Sequence, residues 1–243
     1  MSAPMKTKLR LEGFGCGYGA VSAVSGLSFE VAEGEIFTLL GPNGAGKTST
    51  IQALMGFIAI QAGRVYLDGE DITRRKATER VGLGMALVPE GRRLFSDMSV
   101  LENLFVGAYT KSGTARARGV DRVFALFPRL AERRGQIAGS LSGGEQQMLA
   151  FGRALMTEPT LLFVDELSLG LMPKAAGLFI EVLQKLRAES VTTVLVEQNT
   201  KRALRVAEHV CVLASGRPVF VGTAEDARND SALFRRYLGA AME

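Results

Sequence analysis

Gly41-Pro42-Asn43-Gly44-Ala45-Gly46-Lys47-Thr48 has the spacing G-x-x-x-x-G-K-[ST]. Glycines at those positions let successive backbone N–H groups turn inward on phosphate oxygens, and a helix opening behind them adds positive partial charge. Lys47 then supplies a point charge between a β- and a γ-phosphate, and the Thr48 hydroxyl can ligate Mg2+. Leu161-Leu162-Phe163-Val164-Asp165-Glu166 offers the complementary chemistry. An apolar strand delivers Asp165 at its carboxyl end, where open α/β sheets bind ligands. Asp165 can hold a cation through its water shell, and Glu166 is placed to orient and deprotonate an attacking water. A third string, Leu141-Ser142-Gly143-Gly144-Glu145-Gln146-Gln147, sets a hydroxyl and free N–H groups before a helix and makes a second anion site. By itself that string could be a plain helix cap. One chain with one phosphate loop needs no second anion site, so this one is expected to face the nucleotide of another chain.

The surrounding pattern supplies the elements that must hold these groups. Ile36–Leu40 is a solid apolar run, as expected of a strand buried on both faces, and Ile51, Leu54 and Met55 continue beyond the glycines at helical spacing. Leu27, Phe29 and Val31 alternate until Glu33-Gly34, which predicts an edge hairpin there. Val65-Tyr66-Leu67 before Asp68-Gly69 predicts another turn, and Met85–Val88 a short strand ending at Pro89. From about Ser96 to Thr157 the period turns helical: Val100, Leu104 and Ala108; Val123, Leu126 and Phe127; Met148, Leu149, Gly152 and Leu155. Leu161–Val164, Val191–Val196 and Val210–Leu213 read as further strands. Pro173 opens a helix with Leu178, Phe179, Val182, Leu183 and Leu186 on one side, and Thr223–Leu238 reads as one or two short amphipathic helices. Strands alternating with helices predict an α/β fold with a mainly parallel sheet covered on both faces.

Composition removes other classes. With 47% hydrophobic and 22% charged residues in 243, the chain is an ordinary globular one. A net charge of +4 is spread over scattered pairs such as Arg74-Arg75 and Arg133-Arg134, so no nucleic-acid partner is expected. Cys16 and Cys211 are too far apart in sequence for metal-ligand spacing, and Cys211 reads as an inert core thiol. No apolar run reaches membrane-spanning length, and the opening residues lack the apolar stretch of a secretory signal. A soluble protein of a reducing compartment is expected, with any membrane role exercised through a partner. His209, the single histidine, precedes an apolar strand and is read as structural rather than catalytic.

With these motifs in place, the chain resembles the ATP-binding subunits of ABC transporters over nearly its whole length. The resemblance implies a P-loop ATPase fold in a single domain, with a mainly parallel core sheet, an antiparallel β subdomain and a helical insert. Residues 1–90 and 157–243 would form the nucleotide-binding core with the β subdomain, and residues 91–156 the helical signature subdomain. It further implies ATP and Mg2+ as cofactors. Gly41 through Ser49 would hold the phosphates, and Thr48, Asp165 and Glu90 the metal. Tyr18, an aromatic upstream of the glycines, would stack on adenine, although an ordinary strand aromatic is the alternative. Leu141, Ser142, Gly143, Gly144 and Glu145 would be the signature that touches ATP held by a partner chain, and Ser168-Leu169-Gly170-Leu171 the loop that reports across the dimer.

Val88–Phe95, Glu102–Tyr109, Ser168–Pro173 and Leu195–Asn199 are similar to one branch of that family, the second ATPase subunit of branched-chain amino acid importers and related amide or urea importers. Such systems imply a homodimer or a heterodimer with a sister ATPase, two membrane permease subunits and, indirectly, a periplasmic solute-binding protein. They imply a cytoplasmic chain, peripheral on the inner face of the bacterial membrane. The alternatives are a lipopolysaccharide export ATPase and a soluble ABC ATPase acting on DNA or in translation. The 118 residues from Lys47 to Asp165 leave room for a helical insert but not for the long coiled coil that the soluble class carries (165 − 47 = 118).

Three positions depart from the family's usual pattern. Glu90 stands where most members have a glutamine beside the metal, Gln198 where most have a histidine, and Leu167 where proline usually follows the catalytic glutamate. A carboxylate at Glu90 can pair more strongly with Mg2+, at the risk of repelling the γ-phosphate. Gln198 can still donate to a phosphate oxygen but does not titrate near neutrality. The pH–rate profile should therefore lack a histidine limb between about pH 6 and 8, and Gln198→His should introduce one. A wild-type limb in that range that the substitution leaves unchanged would refute this. Arg92 and Arg93 follow Glu90, where the family touches its membrane partner; a solvated surface is the other reading.

Overall fold

The computed structural model describes residues 6–166, 173–197, 199–233 and 236–237. Two sheets share the work of holding the glycine loop. The first has β1 (Thr7–Tyr18), β2 (Val21–Ala32), β4 (Ile60–Leu67) and β5 (Glu70–Asp71) in the antiparallel order β2-β1-β4-β5, with β3 (Ile36–Leu40) and α1 (Lys47–Leu54) intervening in sequence. The second has the order β10-β9-β3-β8-β7-β6. It contains β6 (Met85–Val88), which comes after the short α2 (Ala77–Gly82), then β7 (Leu161–Asp165), β8 (Thr192–Val196), β9 (His209–Ala214) and β10 (Arg217–Thr223). Every pairing in it is parallel except β10 on β9.

Between β6 and β7 lie α3 (Val100–Gly107), α4 (Gly113–Leu126), α5 (Pro128–Glu132) and α6 (Gly143–Leu155). The last part of the chain adds α7 (Pro173–Ala188), α8 (Thr200–Val206), α9 (Ala224–Asn229) and α10 (Ser231–Leu233). Among the described residues no helix is long and apolar enough to cross a membrane.

The solid apolar runs are explained by which face each side chain meets. In β3, Phe37 and Leu39 face the antiparallel sheet and α1, whereas Ile36 meets the helices on the other side. In β7, Leu161 and Phe163 join the first group, and Leu162 and Val164 the second. In β7, with both faces covered, the first polar side chain comes at the end of the strand, where Asp165 falls.

One expectation is corrected. Glu33-Gly34 does not turn an edge hairpin. The hairpin partner of β2 is β1, joined at Gly19-Ala20, and β2 is the edge of that sheet, while Glu33-Gly34 carries the chain across to the other sheet. Alternation shows that β2 has one buried face, but it does not say which neighbour it pairs with. The turn at Asp68-Gly69 is present, with both residues at positive φ (50° and 85°) as a two-residue hairpin demands.

Candidate ATP-binding site

Gly46 caps α1 with φ 101° and no side chain, so the first N–H groups of α1 meet no side-chain cap. Its backbone runs so close to β2 that an added Cβ would lie 2.4 Å from Val24 Cγ2. Gly41, at φ 144°, leaves no room either, since a Cβ there would lie 2.2 Å from the Leu213 carbonyl oxygen of β9. Gly44, at φ 75°, faces open space. Sterics therefore require glycine at the ends of the loop, and backbone conformation requires it in the middle. Buried Ala45 anchors the turn: its N–H donates to Pro42 O at 3.2 Å and its carbonyl accepts from Gly216 N at 3.2 Å.

Lys47 is buried, and its ammonium donates to the carbonyl oxygens of Gly41 at 2.8 Å and Pro42 at 3.0 Å. Burial pulls its pKa down, opposed by the charges of Glu166, Asp165 and Glu90. The Thr48 hydroxyl donates to Asp165 Oδ1 at 3.3 Å. Asp165 is 4% exposed, and desolvation pushes its pKa up to about 6; the Thr48 hydrogen bond and Lys47 act the other way, while Glu90 and Glu166 add to the rise. Among the described residues no three His, Cys, Asp or Glu side chains cluster closely enough to hold a metal by themselves, but a buried carboxylate with a hydroxyl against it is a donor pair that suits a hard divalent cation. Thr48 and Asp165 could hold two positions of an Mg2+ shell, with phosphate and water completing it.

Asn43, Gly44, Gly46, Lys47, Thr48, Ser49, Glu90 and Glu166 line one cleft of about 480 Å3. Glu90 is exposed on it, although it lies far from the loop in sequence. Glu166 sits at φ 52°, a left-handed conformation that costs a non-glycine residue about 1 kcal/mol. Its amide donates to Val196 O at 2.9 Å, which fixes the turn as β7 ends.

Tyr18 does not line this cleft. It closes β1 half-exposed, and its hydroxyl donates to Gln52 Oε1 of α1 at 2.8 Å, so its ring stands beside the helix that the glycine loop opens. Sequence reasoning missed Ser22, Ala23, Ser215 and Gly216, which complete the cleft wall. The Ser-Gly pair between two apolar strands was the available signal. Both residues have positive φ, and the Gly216 carbonyl accepts from Ser25 N at 2.9 Å, tying the β9–β10 turn to β2.

Leu141 is buried, Ser142 is exposed, and Ser142 caps α6 with its hydroxyl and amide both directed at Glu145. Gly143 and Gly144 form the first turn of α6. None of the residues from Leu141 to Glu145 lines the cleft around Lys47. Three rings, Phe127, Phe151 and Phe179, with centroids 5.7 to 5.9 Å apart, clamp α6 between the α4–α5 corner and α7.

The two arginines after Glu90 differ. Both adopt left-handed backbone, at φ 64° and 48°. Arg92 is half-buried and donates to Gln146 Oε1 of α6 at 2.7 Å, whereas Arg93 is exposed. His209 lies at the start of β9, the end of the sheet opposite the glycine loop, and pairs through Nδ1 with Glu35 Oε1 at 2.7 Å. Burial pushes the Cys211 thiol up to about 12. Gln198, Leu167 and Ser168–Leu171 lie outside the described residues.

Residues 24–168 match the sequence model of the family described as ABC transporter. The high-affinity branched-chain amino acid transport ATP-binding protein BraG of Pseudomonas aeruginosa is 43% identical over 222 residues, 91% of this chain and 95% of that one. The Nod factor export ATP-binding protein I of Paraburkholderia xenovorans is 40% identical over 206 residues, 84% of this chain and 67% of that one. A crystal structure of a nucleotide-free ATP-binding cassette from an ABC transporter superposes with a TM-score of 0.86 at 26% identity, covering 96% of this chain and 100% of that one. Since the family match runs without a break from β2 through the glycine loop to the strand that delivers Asp165, the chain belongs to the ABC transporter family, whose ATP-hydrolysing domain it carries.

Proposed function

We propose that this chain is the ATP-hydrolysing subunit that drives uptake of branched-chain amino acids, or of related amides, through an ABC importer. The observation that carries the ATPase part is the separation of two anion-ready helix ends on one chain. The N-terminus of α1 opens on the cleft with Lys47, Glu90 and Glu166, and the N-terminus of α6 does not. Two chains arranged head to tail would complete each nucleotide with the second end. In this reading Gly41–Ser49 cradle the phosphates, and Thr48, Asp165 and Glu90 hold Mg2+. Glu166 deprotonates water, Gln198 contacts the γ-phosphate, and Leu141–Glu145 close on the partner's ATP. Mg2+, when bound, neutralises the developing phosphate charge. This chain's residues orient the phosphates and the water.

The importer assignment is supported by the relative described as a branched-chain amino acid transport protein, which matches over 95% of its length, whereas the exporter relative matches over 67% of its own. Residues 91–156 and the loop at Glu90 would pass closure on to two membrane permeases, fed by a periplasmic binding protein, with this chain on the inner face of the membrane. The test is uptake of labelled leucine, isoleucine and valine by cells carrying either the wild-type chain or Glu166→Gln. Uptake lost only in the variant supports the proposal. Unchanged uptake with a lost export activity would favour the exporter class.

Tyr18 yields a separate expected result. Stacking of a base on an aromatic ring contributes about 1–3 kcal/mol, and a half-exposed ring belongs at the lower end. Tyr18→Ala should raise KM for ATP about fivefold to tenfold, and Tyr18→Phe, which keeps the ring and loses only the bond to Gln52, should raise it less. Equal effects of the two would assign the loss to the hydroxyl bond with Gln52 rather than to the ring.

A further inference from the structure

The signature helix α6 begins with a carboxylate at the place where an anion is to be received. Glu145 Oε2 accepts the Ser142 hydroxyl at 2.7 Å and the Ser142 amide at 3.0 Å, and the Glu145 amide returns to Ser142 Oγ at 3.4 Å. A hydroxyl carries one proton, so Ser142 cannot donate to Glu145 and to a phosphate at once. A negative charge in the first turn also repels the incoming anion that the helix end would otherwise attract.

The other oxygen of the same carboxylate faces two cations from a different element. Arg133 Nε lies 2.8 Å from Glu145 Oε1, and Arg129 Nη2 lies 3.7 Å from it. The Arg133 N–H is not aligned for a hydrogen bond, so the pairing is one of charge. Arg133 is itself steered by donation from Nη1 to Gln136 Oε1 at 2.8 Å, and Arg129 is shared with Glu132. The Glu145 side chain is 12% exposed. Burial works to raise its pKa, but the Ser142 hydrogen bonds and the two arginines outweigh it and hold the carboxyl below its ordinary value. Glu145 therefore stays charged, and its charge is balanced from behind.

We propose that Arg133, with Arg129, is a positioning pair that balances the Glu145 charge from behind, so that the N-terminus of α6 can accept the γ-phosphate held by the opposite chain. This rests on the head-to-tail pairing of the proposed function. Neither arginine lines the chain's own cleft, so their loss should weaken the completed two-chain site and leave nucleotide binding to the isolated chain as it is.

The test uses the full-length chain. Replacing both arginines, Arg129→Gln with Arg133→Gln, should raise KM for ATP about tenfold while kcat changes less than about threefold. Binding of a fluorescent ATP analogue to dilute, monomeric chain should not change. Glu145→Gln removes the charge and the strong acceptor, and should lower KM about twofold to threefold. In that background the arginine replacements should shift KM by less than about twofold. Arg133→Lys keeps the charge and should recover most of the loss seen in Arg133→Gln; this pair decides the matter if the double variant does not fold. The same tenfold rise in the Glu145→Gln background, or no rise in either, overturns the proposal. Ser142→Phe separates the two levels. If it leaves turnover intact, the two-chain site itself fails. If it abolishes turnover while the arginine variants behave as wild type, only the positioning role fails.

Discussion

Glu166→Gln is expected to lower ATP turnover about a thousandfold, within the range that loss of a general base costs, while leaving ATP affinity within about threefold. The two adjacent carboxylates stand in different surroundings, and that difference supports the roles proposed for them. Asp165 is 4% exposed and already engaged by the Thr48 hydroxyl, which suits holding a cation better than taking a proton from water. Glu166 is turned out of β7 by its left-handed backbone and lines the cleft with Lys47 and Glu90. Glutamine keeps the size and hydrogen-bonding reach of Glu166 but cannot take a proton. Two chains should then close on ATP and stay closed. Single-turnover phosphate release and the elution volume of the ATP-bound chain measure the two halves of this expectation. Turnover near the wild-type rate would remove Glu166 from the role of base, and a thousandfold loss of ATP affinity would make it a binding residue instead.

Arg80→Met is expected to destabilise the fold by about 3–5 kcal/mol, through buried acceptors left without donors. Arg80 is 2% exposed, and its guanidinium is spent on backbone carbonyls. Nη1 donates to Ala53 O at 2.8 Å and Leu54 O at 2.6 Å, Nη2 to Ile72 O and Thr73 O, each at 3.0 Å, and Nε to Arg75 O at 2.9 Å. Ala53 and Leu54 are the last residues of α1, so the charge also sits at the negative end of that helix. Burial pulls the Arg80 pKa down, with Glu79 opposing, yet an arginine remains charged. Methionine fills the space and donates to none of the five carbonyls; Ala53 O and Ile72 O keep backbone donors in Gly56 N and Arg75 N, so the loss falls on Leu54 O, Thr73 O and Arg75 O. Lysine offers one point of donation rather than a fork, and should recover only part of the loss. Thermal unfolding should show a fall in Tm of about 10 °C for methionine and a smaller one for lysine. Equal Tm values for wild type and Arg80→Met would mean that water satisfies those carbonyls. Because α1 carries the glycine loop at its other end, added ATP should raise Tm in both proteins by mass action, and by less where the loop is disturbed.

Glu166 and Arg80 act at opposite ends of α1, and they differ as much in how visible they are along the chain. Glu166 could be singled out in the sequence because it comes directly after an apolar strand and an aspartate. Arg80 could not, since nothing in Ala77–Gly82 distinguishes a buried arginine from the solvated ones around it. Its burial depends on five carbonyls brought in from residues 53 to 75. Arg133 is hidden for the same reason: it meets Glu145 where the end of α5 packs beside α6, near the rings of Phe127, Phe151 and Phe179.

Local order explains what was legible. Ile36–Leu40, the glycines and Lys47-Thr48 form one continuous strand, turn and helix, and Leu161–Asp165 another, so spacing along the chain is already spacing in space. The capping pair Ser142 and Glu145 is legible on the same ground, being three residues apart on one helix. The fold alone decided the meeting of distant segments: Glu90 with Lys47, the Ser215-Gly216 turn with the loop at Ala45, and the pairing of β2 with β1 rather than with β3 beyond Glu33-Gly34. Periodicity reports that a face is buried and turn residues report that the chain reverses. Neither carries the identity of the surface that does the burying, because that is set by the packing of both sheets around α1 at once.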